Sequence, residues 1–587
     1  MKILFITRHF GCLRNFEGAL QELAARGHSL HLAAMQEEAQ GGLQLVERLA
    51  AATPRITIGW TPSVAEQSRR DGLDRIRLGV DYLRYLEPAY EHAPRLRSRA
   101  EERAPRGVLW LMGLPGLAGA RGRRWLAGLL RRLERAVPPD SGIADYLRGH
   151  GPDAVLFTPL IGLGTPEVEY LAVAKRLGLR TVFCVWSWDN LSSKSLLRDM
   201  PDAVTVWNET QRHEAVTLHS VPPERVVVTG AQCFDQWFGR QPSRSREELC
   251  RQLGLPVDRR FLLYVCSALF RGSPSEAAFV RRWAQAVRSS ADPAVRTLPI
   301  LVRPHPSRLG EWRDVGVEDL HDVVLWGGNP VTATARDDYF DSLYHSSVVV
   351  GLNTSAMLEA GIAGRPVMTV LLPEFAENQE GTLHFHYLLG DSDGLLYASR
   401  GLDAHIAQLS QVQREPAAAA ARSERFVARF IRPFGNGVAG TDRFVAAVEA
   451  MISVVPQPAE VAITPGPLAF MTRWLVKHAD SFPMAGLLRS PREHEELRRR
   501  NAYLRGKRRE KFRRQAADRW ARFKRGRERA RRRSGRAAVE HEIQFHKRQE
   551  KAARQSEKRR RRILERRERL QAAILNRVRR AFGSSGE

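Results

Sequence analysis

Residues 1–33 read MKILFITRHFGCLRNFEGALQELAARGHSLHLA. The apolar run Ile3-Leu4-Phe5-Ile6 predicts a strand, and the polar turn over 8–11 ends it. Phe16, Leu20, Leu23 and Ala24 then recur at helical spacing until Gly27 stops the helix, and 29–33 starts a second strand. Strand, helix and strand in so short a span form a βαβ unit, which implies parallel strands covered by helices.

The unit recurs outward from there. Strands are expected at 152–157, 181–186, 202–207 and 226–230, with helices over 168–177 and 209–218 between them. After a polar break at 241–245 the rhythm restarts with strands at 261–265, 300–303, 323–326, 347–351 and 366–370, and helices over 276–288 and 355–363. The fold class is therefore α/β, two doubly wound Rossmann-like domains facing a cleft, with a C-terminal basic helical extension. The expected boundaries are 1–240, carrying an Arg-rich helical insertion over 62–140; 241–455; a linker at 456–490; and a tail at 491–587. Ligands of such sheets sit at the carboxyl ends of strands, which puts the chemistry between the two domains.

Charge divides the chain differently. Of 587 residues, 92 are Lys or Arg and 65 Asp or Glu, for a net charge of +27, yet 43% are hydrophobic and there are 23 Phe and 12 Trp. That is too rich in core formers for a mainly disordered protein. From 491 onward 36 residues are basic and 13 acidic, so the tail holds a surplus of 23 and the body only 4. Five scattered cysteines without a C-x-x-C argue against a zinc site or disulfide framework and for a reducing compartment. No signal-like N-terminus and no run of about 18 apolar residues is present, so a cytoplasmic location is expected.

The sharpest motif is GLNTSAMLEAGIAGRPV at 351–367, where a strand meets a polar Asn-Thr-Ser turn and then a helix with Thr354 or Ser355 as N-cap. Free N–H groups at such a start attract phosphate, and Glu359 lies one turn further on nearly the same face. An ordinary strand-cap-helix junction with a surface Glu is the alternative. The stretch resembles the donor-binding βα unit of GT-B glycosyltransferases. That resemblance implies phosphate contacts at Ser355 and Ala356 and a ribose contact at Glu359; epimerases acting on nucleotide sugars share the fold. LVRPHP at 301–306 clamps His305 between prolines beside Arg303, an arrangement suited to a phosphate or to a general acid. The hexapeptide resembles the basic-x-His-Pro motif of bacterial capsule polymerases, sialyltransferases and glycerophosphotransferases that use CMP- or CDP-activated donors. Thr354-Ser355 fits the Ser/Thr pair of those families.

The GT-B resemblance also implies acceptor groups in the first-domain loop Arg8-His9-Phe10-Gly11, with His9 as candidate base. The glycine-rich loop usual there is reduced to the single Gly11. Trp186-Ser187-Trp188-Asp189-Asn190 ends another strand with aromatic faces and polar partners for a sugar, so Trp188 and Asn190 join the acceptor set and Asp189 is the rival base. Gln232 and Asp235 either face the cleft or satisfy a hinge, and Glu374, Gln379 or His384 is placed to touch the donor sugar. Neither a metal nor a cofactor is expected; the nucleotide-activated sugar is the substrate.

The tail is expected to form one long helix or a pair interrupted near 534–535, too poor in apolar residues for a coiled coil. Leu570, Ile574, Leu575, Val578 and Phe582 share one helical face flanked by Arg577, Arg579 and Arg580, as in a helix lying on an anionic membrane. That partner is favoured over nucleic acid. The function expected is transfer of a sugar from a nucleotide donor to a cell-envelope glycan or lipid-linked acceptor. A 2-epimerase or polyol-phosphate transferase of the same fold, and a non-catalytic nucleic-acid-binding protein, are the alternatives.

Overall fold

A computed structural model describes residues 1–38, 41–62, 67–137, 140–390, 393–453, 484–531 and 535–582, together with 470, 472, 474, 476, 478 and 481. Positions 456–469 of the expected linker and the expected break at Ser534 lie outside the described residues.

The first sheet has seven strands: β1 Lys2–Thr7, β2 Ser29–Ala34, β3 Ile56–Trp60, β4 Ala154–Thr158, β5 Arg180–Cys184, β6 Ala203–Val206 and β7 Val226–Val228, ordered β3-β2-β1-β4-β5-β6-β7. The second has six: β8 Leu262–Val265, β9 Ile300–Arg303, β10 Val323–Leu325, β11 Val348–Val350, β12 Val367–Leu371 and β13 Leu396–Arg400, ordered β10-β9-β8-β11-β12-β13. Every pairing is parallel. Both sheets are doubly wound as expected, because each central strand is buried on both faces and so reads as one continuous apolar run. Strands β3 and β13 escape the sequence pattern because both are partly exposed edges, β3 with Gly59 in it.

Local details differ from expectation at two places. The first helix opens with a 3-10 segment, Phe10–Phe16, before α1, Glu17–Ala25. The helix after β11 is only Ala356–Ile362, and Ser355 makes no side-chain cap: its backbone is already helical at φ −60°, ψ −23°. The Ala356 N–H instead reaches the Thr354 hydroxyl at 3.4 Å.

The chain does not stay with the second sheet. Helix Gly440–Ser453 returns to the first, where the Phe444 ring packs on Phe16 at 5.6 Å. Asp235, just after β7, fixes the crossing: its carboxylate accepts from Arg432 at 2.9 Å, from Gly440 N at 3.1 Å and from Thr441 N at 2.6 Å. Asn208 donates to the Phe430 carbonyl at 2.7 Å beside it. Of the two readings of Asp235, the hinge is the one with partners.

Residues 495–587 form a separate unit containing most of helix Pro491–Arg531 and all of Gly535–Phe582, and none of its described side chains is buried. Among the described residues no helix is long and apolar enough to cross a membrane.

Phe444 is 1% exposed, and truncating a buried Phe costs about 3–5 kcal/mol. Phe444→Ala should therefore lower the melting temperature of the body sharply while leaving the helical signal of the tail unchanged.

Candidate functional site

Strand order reverses at β1/β4 in the first sheet and at β8/β11 in the second, and ligands of doubly wound sheets bind outside the strands' carboxyl ends at such points. Contacts join the two halves on both flanks of these reversals. Following β5, the Trp188 ring meets His384, from the segment after β12, edge-on at 4.7 Å. On the β2 side, Glu17 pairs with Arg336, from the helix Ala333–His345 after β10, at 3.4 Å.

At the end of β1 the side chains part. Arg8 turns into the first half, donating to the fully buried Glu167 at 2.8 and 3.0 Å beneath Gly162, where a Cβ would lie 2.2 Å from its guanidinium. Burial opposes its charge, but Glu167 outweighs burial. His9 stays half-buried beside Cys12, with sulfur 3.7–3.8 Å from the ring nitrogens. Gly11 makes room for it: a Cβ there would stand 3.0 Å from Nδ1. Burial pushes the His9 pKa down, with Glu38 opposing, and burial pushes the Cys12 thiol up to about 11. Both groups are neutral near pH 7, so His9 is competent to accept a proton.

Asp189 is the opposite case. It accepts from Ser187 Oγ at 2.7 Å, Ser193 Oγ at 2.8 Å and Lys194 Nζ at 2.9 Å. Burial alone would raise its pKa, but Lys194, His384 and the Ser187 hydroxyl outweigh it and hold the carboxyl well below the usual carboxylate range. A carboxylate so satisfied is a poor base and a good anchor. Trp188 is 5% exposed and packs on His384 rather than opening a face to the cleft. Asn190 is buried, its Oδ1 accepting from the backbone of Trp186 and Ser187 at 3.0 and 3.1 Å. His384 is kept neutral, with a pKa near 4, by burial against the pull of Asp189; its Nε2 lies 3.4 Å from the Asn353 amide. Its Nδ1 is buried without a partner among the described residues.

Around β11, Asn353 is held by Ser267, whose Oγ accepts its N–H at 3.1 Å, and by the Asn378 carbonyl at 2.5 Å. Thr354 is half-buried, Ser355 exposed and Ala356 buried. Arg303, 5% exposed, does not lie open beside His305. It donates to Ser342 Oγ at 3.0 Å under Gly327, which sits at φ +104° with no room for a Cβ, and is sandwiched between the Trp326 and Tyr339 rings at 5.2 Å each. Tyr339 in turn donates its hydroxyl to Glu359. Arg303, Tyr339 and Glu359 thus form one line, and burial raises the Glu359 carboxyl to about 7 against the Tyr339 hydrogen bond. His305 stands apart: its Nδ1 accepts from Ser307 N at 3.2 Å, which leaves the proton on Nε2 as a donor. Burial and Arg308 keep it neutral.

Tyr339 and Ser267 escaped the sequence reading, and Asn353 entered it only as part of the polar turn. All three act through contacts with residues remote in sequence.

No protein-family model and no curated protein sequence matches the chain. Solved structures similar in trace include the UDP-GlcNAc 2-epimerase of Methanocaldococcus jannaschii, at 11% identity over 77% of this chain and 100% of that one, TM-score 0.45. WaaG, a glycosyltransferase involved in lipopolysaccharide biosynthesis, is 13% identical over 76% and 99%, TM-score 0.40. Arabidopsis thaliana UGT89C1, complexed with UDP-L-rhamnose, is 11% identical over 77% and 99%, TM-score 0.45. Likenesses at this level assign no function to the chain.

Glu359 loses its proton later in the folded than in the unfolded protein, so its contribution to stability falls as pH rises from about 4.5 to about 7. Urea denaturation across that window should show a smaller fall for Glu359→Gln than for the wild type. A difference between the two proteins that is constant with pH would mean that Glu359 ionises normally.

Proposed function

We propose that the chain moves a sugar, or a sugar-like group, from a nucleotide-activated donor to an acceptor hydroxyl. The observation that carries this reading is the bridging of the cleft on both flanks, by Trp188 with His384 and Glu17 with Arg336, which turns the carboxyl ends of two doubly wound sheets toward each other. In this reading the donor lies against the second half. Its phosphates meet the His305 Nε2–H, the hydroxyls of Thr354 and Ser355 and the backbone at Ala356; its ribose meets Glu359, positioned by Tyr339 and Arg303. The helix after Ser355 has only seven residues, so these discrete donors rather than its dipole hold the charge.

The acceptor lies against the first half at Gly11. Neutral His9 takes the hydroxyl proton as the oxygen bonds to the anomeric carbon. The bond from that carbon to the phosphate breaks, and the nucleotide leaves with the electron pair, its new charge met by His305. Asp189, already saturated, orients the Trp188–His384 flank, and Arg8 fixes the loop that carries His9. The likeness of LVRPHP to capsule and polyol-phosphate enzymes favours a cell-envelope glycan or lipid-linked acceptor.

Thermal shift of the full chain with CMP, CDP and UDP tests the donor half. One of these nucleotides should stabilise the wild type, Glu359→Ala should abolish the shift, and His9→Ala should keep it. No shift with any of the three would sink the reading.

For the tail we propose an anionic membrane surface, at the inner face of the plasma membrane. Its helices expose Phe512, Trp520, Ile563, Leu564 and Leu570 at 54–73% among their arginines. A lipid surface accepts both aliphatic groups and cations across its whole area, whereas the nucleic-acid backbone attracts chiefly the cations. Flotation of the full chain should succeed with vesicles containing phosphatidylserine and fail with purely zwitterionic ones. Ile563→Asp/Leu570→Asp should weaken it. Capture by duplex DNA that outcompetes the vesicles would reverse the assignment.

A further inference from the structure

The two flanks of the cleft differ in chemistry. Next to β5 and β12 it is closed by Trp188 and neutral His384; next to β2 and β10 it is lined by guanidinium groups. There α2, Gly42–Ala52, begins at Gly41, whose φ of +87° and lack of a side chain allow the halves to approach: a Cβ on Gly41 would sit 2.4 Å from Val331. Beside this contact lies a cavity of about 470 Å³. Arg14, Glu17 and Arg48 line it from the first half, and Asn329, Thr332 and Arg336 from the second.

Three cations and one carboxylate therefore share the lining. Glu17 accepts from Arg48 at 2.7 Å and from Arg336 at a longer 3.4 Å. The Arg14 pKa is pushed down by burial, with Glu38 opposing and Arg336 adding to the fall; Glu38 itself lies outside the lining and already accepts from Gly42 N at 2.6 Å. Arginines contributed by both halves offer planar forks that match phosphate oxygens, and an anion between them would join the halves as Glu17 does with Arg48 and Arg336. The cavity is large enough for a pyrophosphate or a sugar phosphate. By strand order the β11 turn lies between this flank and the Trp188–His384 flank, so the cationic end is not the place where the Asn-Thr-Ser turn would hold a nucleotide.

We propose that this cavity is an anion site for a phosphate-bearing group of the second substrate, separate from the nucleotide. Calling that ligand the second substrate rests on the transferase reading; phosphate binding at the cavity does not.

The test is isothermal titration of the full chain with inorganic pyrophosphate and, separately, with UDP. Arg14→Ser/Arg48→Ser, which keeps the Glu17–Arg336 bridge, should weaken pyrophosphate about tenfold or more, as the loss of charge-assisted hydrogen bonds predicts, with UDP unchanged. Glu17→Gln should tighten pyrophosphate several-fold, since it removes the one carboxylate in the lining and keeps every arginine. The tail is the same in all variants, so its own attraction for anions cancels in the comparison. Equal pyrophosphate affinity in the wild type and both variants overturns the proposal. So does a loss of UDP affinity parallel to that of pyrophosphate, which would give the anion to the nucleotide. If UDP binds to none of the proteins, the donor reading fails and the pyrophosphate comparison still decides the anion site. Should the double variant unfold, the opposite shift expected of Glu17→Gln carries the test.

Discussion

The carboxylate of Asp235 accepts from Gly440 N, Thr441 N and Arg432 at once, at the point where the chain leaves the second sheet and returns to the first. Three donors on one carboxylate fix it at the start of the 14-residue helix Gly440–Ser453, where negative charge is favourable. Gly440 is required there, since a Cβ would stand 2.9 Å from Gln232 N. Everything the cleft does depends on this crossing. The helix buries Phe444 in the first half while Phe430 and Ile431, just before it, belong to the core of the second. The helix thereby ties the two halves together.

Within that frame the ionisable groups have separated by role. Charges that are fully paired, such as Arg8 with Glu167 and Asp189 with Lys194, hold loops in place. Groups left neutral by burial, such as His9, His305 and His384, can donate or accept a hydrogen bond near pH 7, and Glu359, raised to about 7, can exchange a proton there. Arg303 is the instructive case. A cation at a strand end invites the reading of a phosphate ligand, but its guanidinium is enclosed by Trp326, Tyr339 and Gly327, and its influence reaches the cleft through the Tyr339 hydroxyl on Glu359.

The strands of both sheets were legible because parallel strands buried on two faces must be written as unbroken apolar runs, as at Ile3–Ile6 or Val348–Val350. The edge strands β3 and β13 were not, since an edge is not buried on both faces: ITIGW buries little more than Ile56, and LYASR only Leu396 and Ser399. The candidate residues were legible as types: His9, Asp189 and His305 lie in the segments that follow β1, β5 and β9, and Glu359 lies in the helix after β11. Their orientations were not: Trp188 meets His384, Tyr339 meets Glu359 and Glu17 meets Arg336 through folding of distant segments, and no local spacing encodes such a meeting. Nor did the return of Gly440–Ser453 announce itself, because an amphipathic helix carries no sign of which sheet it will cover.

The same separation runs through the charge. A body nearly balanced in acids and bases can place its few unbalanced cations where geometry makes them count, as Arg14, Arg48 and Arg336 do around Glu17. The tail, with 36 basic residues against 13 acidic ones and no buried described side chain, has no interior to organise its charge. Isolated helices of that kind gain little from propensity alone. With most of the charge in a separate unit, the cations of the nearly neutral body are local features rather than parts of one uniformly positive surface.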